Sequence, residues 1–139
     1  MRQRDGRRRR RSAPVTVHLP PPAWRSRADA APGTRVRLVV DSVVPGADLY
    51  GGVIEIEAGA SVPLHWHRRG ELQFVLSGRG ALLHPNGLET SVGPHSAVFS
   101  PAGRHGAHGF RARGPARLVI LFFYGSPRGR RPWIARIKD

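Results

Sequence analysis

Residues 59–78 read GASVPLHWHRRGELQFVLSG, and this stretch decides both what the chain folds into and what it can bind. Side chains of a strand alternate between faces, so His65 and His67 project from one side and Trp66 from the other. Glu71 follows after the turn-capable Arg68, Arg69 and Gly70, at the head of a second apolar strand, ELQFVLS (71–77). Two imidazoles and one carboxylate gathered in this way are the facial donor set of a non-haem iron site, and they suit manganese, nickel, cobalt or zinc equally well. One divalent transition metal is therefore the expected cofactor, its identity left open.

The flanking sequence continues as strand after strand. TRVRLVV (34–40), LYGGVIEIEA (49–58) and GALLH (80–84) are followed by LETSV, HSAVFS, HGFRA and ARLVILFFY. Turn residues separate them at the expected intervals: PGAD (45–48), SGRG (77–80), PNG (85–87), VGP (92–94), PAG (101–103) and RGP (113–115). Short strands at such spacing predict an all-β, closed or sandwich-like fold, and 139 residues predict one domain. ARLVILFFY is apolar nearly throughout and is expected to be buried on both faces. Residues 1–32, with the arginine run 7–11 and Pro20, Pro21 and Pro22, read as a disordered or loosely attached arm, although the alternation of Val15, Val17 and Leu19 would suit a strand added to a sheet edge. The barrel is expected over 33–125, followed by a loop-like tail, 126–139, whose Trp133, Ile134 and Ile137 are suited to pack back on it or across a dimer.

Composition removes several classes of chemistry. The chain has no cysteine, so disulfides, thiolate metal sites and nucleophilic cysteines are excluded. No apolar run approaches the ~18 residues of a membrane span, and the opening arginines lack the apolar stretch of a secretory signal, so a soluble cytoplasmic protein is expected. The net charge of +14 invites a nucleic-acid reading. Its distribution argues against one: residues 1–13 contribute +6 and the remaining +8 is scattered over turns and tail, including Arg128, Arg130 and Arg131. A solvated, incidental charge is the expectation.

The residues just quoted resemble the cupin superfamily. Its first motif is glycine, five residues, HxH, three or four residues, glutamate, six residues and glycine, and Gly59, His65, His67, Glu71 and Gly78 satisfy every element. The resemblance covers roughly 35–124 and implies a six-to-eight-stranded jelly-roll barrel of the small single-domain kind, with metal near its centre and substrate entering at one mouth. The second motif, PxG followed by two residues and a fourth ligand histidine, is met in part by SPAGRHGAHGF (100–110). Aligned without gaps, the histidine position falls on Gly106. A shorter turn would bring in His105, and a two-residue displacement, which keeps inward parity, would bring in His108. The favoured ligand is His108; a site of two His, one Glu and water is the third alternative.

Tyr50, Gln73 and Phe99 are candidates for the pocket wall, Gln73 sharing the strand parity of Glu71. His84 and His95 read as surface residues, and Trp66 as packing between sheets or subunits. What the resemblance implies for function is a small metal-dependent enzyme, a dioxygenase-like oxidoreductase acting on a small oxygen-rich molecule; the alternative is a non-catalytic barrel that binds or senses a small ligand. A homodimer is expected, formed through the apolar VILFF run and Trp133.

Overall fold

The computed structural model describes residues 30–137, so the basic arm up to residue 29, with Val15, Val17 and Leu19, lies outside the described residues. Alternating apolar side chains punctuated by turn glycines organise the rest into ten strands: β1 Thr34–Val40, β2 Leu49–Ile56, β3 Ser61–His67, β4 Glu71–Ser77, β5 Gly80–Leu83, β6 Glu89–Val92, β7 Ala97–Ser100, β8 His108–Ala112, β9 Leu118–Gly125 and β10 Ile134–Arg136. They form two antiparallel five-stranded sheets, β1-β2-β9-β4-β7 and β10-β3-β8-β5-β6, in a jelly-roll arrangement. Consecutive strands that switch sheet, such as β3 and β4, place their inward residues across the interior from one another. That switch brings the carboxylate of β4 over the imidazoles of β3.

One end of the space between the sheets is filled by Ile56, Val75, Val92, Phe110, Ala112, Leu118 and Ile120. Ile56 and Leu118 are wholly buried, and truncating either to alanine removes contacts on the order of 2–5 kcal/mol. Val36, Leu38, Tyr50, Phe122 and Tyr124 form a second cluster. The motif glycines are where the backbone demands them. Gly59 and Gly78 both have left-handed φ, 81° and 84°, and a Cβ on Gly78 would stand 2.1 Å from the Arg117 carbonyl oxygen.

Two expectations need correcting. ARLVILFFY is not buried on both faces: along β9 Leu118, Ile120, Phe122 and Tyr124 point into the core, while Val119, Leu121 and Phe123 are only half-buried on the outer face. The apolar run serves an inner core and an incompletely covered outer sheet face. The tail is not simply loop-like either, because its residues 134–136 add β10 to the edge of β3 with Ile134 opposite His67 and Arg136 opposite His65. Trp66, directed away from the interior, packs edge-on against Trp133 with ring centroids 5.0 Å apart, and the Arg68 guanidinium covers the Trp133 ring at 4.5 Å. This stack fastens the tail to the barrel, a cation over an indole face adding about 0.5–1 kcal/mol at an exposed position.

Two carboxylates gather part of the positive charge of the described residues. Arg35 and Arg37 hold Glu55 at 2.6 and 2.5 Å, and Arg111 and Arg113 both pair with Glu89. No helix among the described residues is long and apolar enough to cross a membrane.

Candidate metal centre

The antiparallel register assembles the centre. β3 pairs with β8 so that His65 stands directly opposite His108, and directly opposed residues share a face of the sheet. His67, two residues on from His65, lies on that same face. From the other sheet Glu71 points across the interior, with Tyr124 and Ser100 as its neighbours on β9 and β7. The ligand-capable atoms of His65, His67, Glu71 and His108 all lie within 4.8 Å of one another. Of the four, His67, Glu71 and His108 are at most 5% exposed.

Hydrogen bonds on the far side of the rings show which nitrogen faces the centre. His65 Nδ1 lies 2.7 Å from the Pro63 carbonyl oxygen and His108 Nδ1 lies 2.8 Å from that of Gly106. A carbonyl can only accept, so each Nδ1 carries a proton, and in the neutral ring Nε2 presents a lone pair to the interior. Glu71 Oε2 is 2.9 Å from His108 Nε2 and 3.0 Å from His67 Nε2, yet receives no well-directed hydrogen bond from either. For His108 this sets the Nε2 lone pair against a carboxylate oxygen, a contact that a cation between them, a second ring proton or a metal ion, relieves. The spacing fits the ion: two donors held at right angles about 2.1 Å from one metal are about 3.0 Å apart. The residues present therefore fit a single divalent metal.

Electrostatics keep two of the donors in ligand form. Burial lowers the His65 pKa to about 4, reinforced by repulsion from His108 and His67 when these are charged. Burial alone would raise Glu71, but the close approach and charge of His108 and His67 outweigh it and hold the carboxyl at about 2. His65 is thus neutral and Glu71 ionised from neutral pH down to mild acidity.

Other polar side chains border the same nitrogens. Gln73 Nε2 lies 3.0 Å from His108 Nε2 and 3.2 Å from Ser100 Oγ, and Ser100 Oγ donates back to Gln73 Oε1 at 3.3 Å. The Tyr124 hydroxyl is 3.0 Å from His67 Nε2. Neither Ser100 nor Tyr124 stands out in the sequence, because they reach the centre through pairings with strands 27 and 57 residues distant. Their only advance signal is inward parity within β7 and β9.

The structure sorts the remaining candidates. His105 is exposed on a 3-10 turn, Arg104–Gly106, outside the donor cluster. That turn also explains the departure from the second motif: a Cβ on Gly106 would stand 1.7 Å from the Pro101 carbonyl oxygen, so no side chain fits there, and β8 begins at His108 instead. Phe99 is 69% exposed on the outer face, and it is Ser100, the next residue, that points inward. Tyr50 is buried behind Tyr124, with ring centroids 6.1 Å apart, and does not line the chamber. Gln73 does line it. His84 bonds Thr90 at 2.8 Å in an exposed position, and His95 is exposed in its turn.

The donors open into a chamber of about 60 Å³ walled mainly by Val36, Ile54, Phe110, Phe122 and Ile134. A larger cavity of about 360 Å³ adjoins it, and the two share Val36, Ile54, Val62, His65 and Ile134 as walls.

A sequence profile of the cupin domain matches residues 52–124, spanning Glu71, both motif histidines and His108. The chain is a cupin. Among curated protein sequences none matches it significantly. Among solved structures, the cupin is similar to the polyketide cyclase RemF from Streptomyces resistomycificus, with 26% identity, 91% of this chain and 87% of that one covered, and a TM-score of 0.72. It is similar in fold to KdgF from Halomonas sp. (24% identity, 75% and 86% covered, TM-score 0.58) and to a sugar phosphate isomerase from Silicibacter pomeroyi (23%, 68% and 60%, 0.59). In this cupin, replacing Gln73 by leucine is expected to leave metal affinity within about 10-fold of the wild type with one ion per chain at saturation, since Gln73 contacts the Nε2 lone pair of His108 that the ion itself would take and supplies no ligand. Competition against a chromophoric chelator reads that affinity directly.

Proposed function

We propose that this cupin is a small metal-dependent enzyme in which His65, His67, Glu71 and His108 hold one divalent ion, and that its reaction is ring closure of a flexible chain bearing several carbonyl groups. The observation that carries the reading is the pairing of a four-donor centre with a chamber whose other walls, Gln73 and Tyr124 apart, are apolar. The likeness to a polyketide cyclase, which extends over nine-tenths of the chain, supports it. When bound, the ion would polarise a carbonyl oxygen as a Lewis acid.

The chain's own residues supply the rest. Val36, Ile54, Phe122 and Ile134 exclude water from a reactive polycarbonyl chain and favour folded over extended conformers, which brings its reacting carbons together. The Tyr124 hydroxyl, buried and 3.0 Å from His67 Nε2, is placed to hold or return a proton beside the donors. The Gly106 carbonyl orients the His108 ring through Nδ1, and Gln73, fixed by Ser100, places its amide beside the donors, where it can donate to a substrate oxygen.

The test is turnover of a linear triketide or longer β-polycarbonyl chain by protein loaded separately with zinc, manganese, nickel, cobalt and iron(II), with dissolved oxygen monitored. The expected result is cyclised product without oxygen consumption, and a loss of about 10–100-fold in turnover in Y124F at unchanged metal content. The donor set equally suits iron, which keeps dioxygenase-like chemistry as the second reading; oxygen-consuming turnover with iron alone would replace the first. Ligand-dependent stabilisation without turnover under any metal would favour the non-catalytic binding barrel.

We also infer that a second copy of the chain covers the outer face of the β1-β2-β9-β4-β7 sheet. Phe99, Leu72 and Phe123 lie side by side there across β7, β4 and β9, and Leu72 and Phe99 are 49% and 69% exposed. Apolar patches of this kind mark interaction surfaces. Light scattering is expected to give a dimer mass for the wild type and a monomer mass for L72S/F99S; a monomeric wild type would reject the inference.

A further inference from the structure

We propose that Gln73 exchanges partners when the centre is loaded: the amide N–H that caps His108 in the metal-free protein donates instead to an oxygen of the ligand seated at the donors, so that the site selects oxygen ligands. This deepens the reading above and rests on its metal centre. Gln73 is 2% exposed and lines the donor chamber. Its amide nitrogen lies 3.0 Å from His108 Nε2 and 3.2 Å from Ser100 Oγ, and its amide oxygen accepts from Ser100 Oγ at 3.3 Å.

The direction of the contact with His108 follows from the other side of the imidazole. His108 Nδ1 is committed to the Gly106 carbonyl, so Nε2 of the neutral ring accepts, and the Gln73 group facing it must be the donor. Ser100 holds the amide in that sense, because its hydroxyl pins the amide oxygen and leaves the nitrogen for His108. An ion held by His108 uses the same Nε2 lone pair. The amide hydrogen aimed at that nitrogen then loses its acceptor, and a buried N–H left unpaired is costly. Val36, Ile54, Phe110, Ile120 and Phe122, which wall much of the chamber, have no side-chain acceptor to offer. An oxygen brought in by the ligand meets the need, whereas a nitrogen whose single lone pair is spent on the ion does not. Capture of the ion and recognition of its ligand are thereby linked through one amide hydrogen. The class of molecule selected is one that reaches the donors through carbonyl, enolate or carboxylate oxygen.

The experiment uses the full-length protein loaded with cobalt(II), whose visible absorption reports the arrival of a ligand. Two probes are titrated: acetohydroxamate, which binds metals through oxygen, and 1-methylimidazole, which binds through its one basic nitrogen and then has no acceptor left. In Q73L the affinity for acetohydroxamate is expected to fall about 10–100-fold, the range of a hydrogen bond to a charged oxygen, while that for 1-methylimidazole stays within about 2-fold of the wild type. Cobalt remains stoichiometric in both proteins. S100A keeps the N–H but loses its anchor, and should retain part of the preference for oxygen. A second readout needs only the wild type. The Gln73 side-chain amide proton, assigned through the backbone of Gln73 in labelled protein, should shift upfield on zinc loading, downfield again with acetohydroxamate, and not respond to 1-methylimidazole. That measurement decides the question should Q73L fold poorly. Equal weakening of both probes in Q73L, an unchanged affinity for acetohydroxamate, or an amide proton indifferent to zinc would each overturn the proposal. A wild type that binds no cobalt would remove the centre and this proposal together. A wild type that binds cobalt and shows the expected probe ratio but closes no polycarbonyl chain would remove the reaction alone and leave the role of Gln73 standing.

Discussion

Alanine at His67 or at His108 is expected to strip the purified protein of stoichiometric metal. Both side chains are nearly inaccessible to solvent and both present Nε2 within 3.0 Å of the same Glu71 oxygen, so each occupies a position that no other donor among the described residues is placed to take over. The loss should exceed the roughly 10–100-fold that removal of an outer hydrogen-bond partner costs. Elemental analysis after exhaustive dialysis reads the result as about one ion per chain in the wild type and well under one in either variant. A thermal shift provides an independent check. Metal at about 100 times its dissociation constant stabilises the folded state by about 2.7 kcal/mol, and that increment should vanish in the variants. A wild-type protein that holds no ion after loading with iron, manganese, nickel, cobalt or zinc would refute the centre, as would an H67A/H108A chain that still binds one ion tightly.

The metal-free protein should lose stability on acidification in two consecutive windows. His65 has a folded pKa of about 4 against an ordinary value of 6.5, so between these the unfolded chain binds more protons than the folded one and stability falls with pH. The shift corresponds to about 3 kcal/mol at most, fully lost by pH about 4. Glu71 then acts in the same direction: its folded pKa of about 2 against 4.5 contributes stability above pH 4.5 that disappears toward pH 2. Arginines stay charged throughout and add no slope in either window. Urea unfolding in the presence of a chelator, repeated from pH 7.5 to 4, should therefore show a falling midpoint for the wild type and a flatter profile for H65Q. Identical slopes in the two proteins would reject the assignment to His65.

How much of this was legible beforehand follows from the range of the interactions concerned. Nine of the ten strands fall within segments marked by apolar runs or alternation and bounded by glycine, proline and asparagine turns, because those signals are local. β10 was missed as a strand since it has only three paired residues, follows Pro132 and sits in an arginine-rich segment without alternation. His65, His67 and Glu71 could be read from parity and spacing along one hairpin. The choice between His105 and His108 could not, because it depends on how tightly the segment after Pro101 turns, and the exclusion of any side chain at Gly106 is visible only once the Pro101 carbonyl is in place. Phe99 was expected in the pocket as an aromatic near the motif; the pairing of Leu72 with Phe99 and of Glu71 with Ser100 puts it on the outside. Tyr124 and Ser100 reach the centre only through pairing of distant strands, which no local pattern encodes.

The donors and the wall of the adjoining cavity draw on different kinds of strand. His65, His67, Glu71 and His108 come from β3, β4 and β8, each flanked by two partners in its sheet, whereas β10 is an edge strand that brings Ile134 and Arg136 to the cavity and contributes no donor. Substitutions along the edge segment therefore reshape the cavity wall without touching a donor, so the two can vary independently.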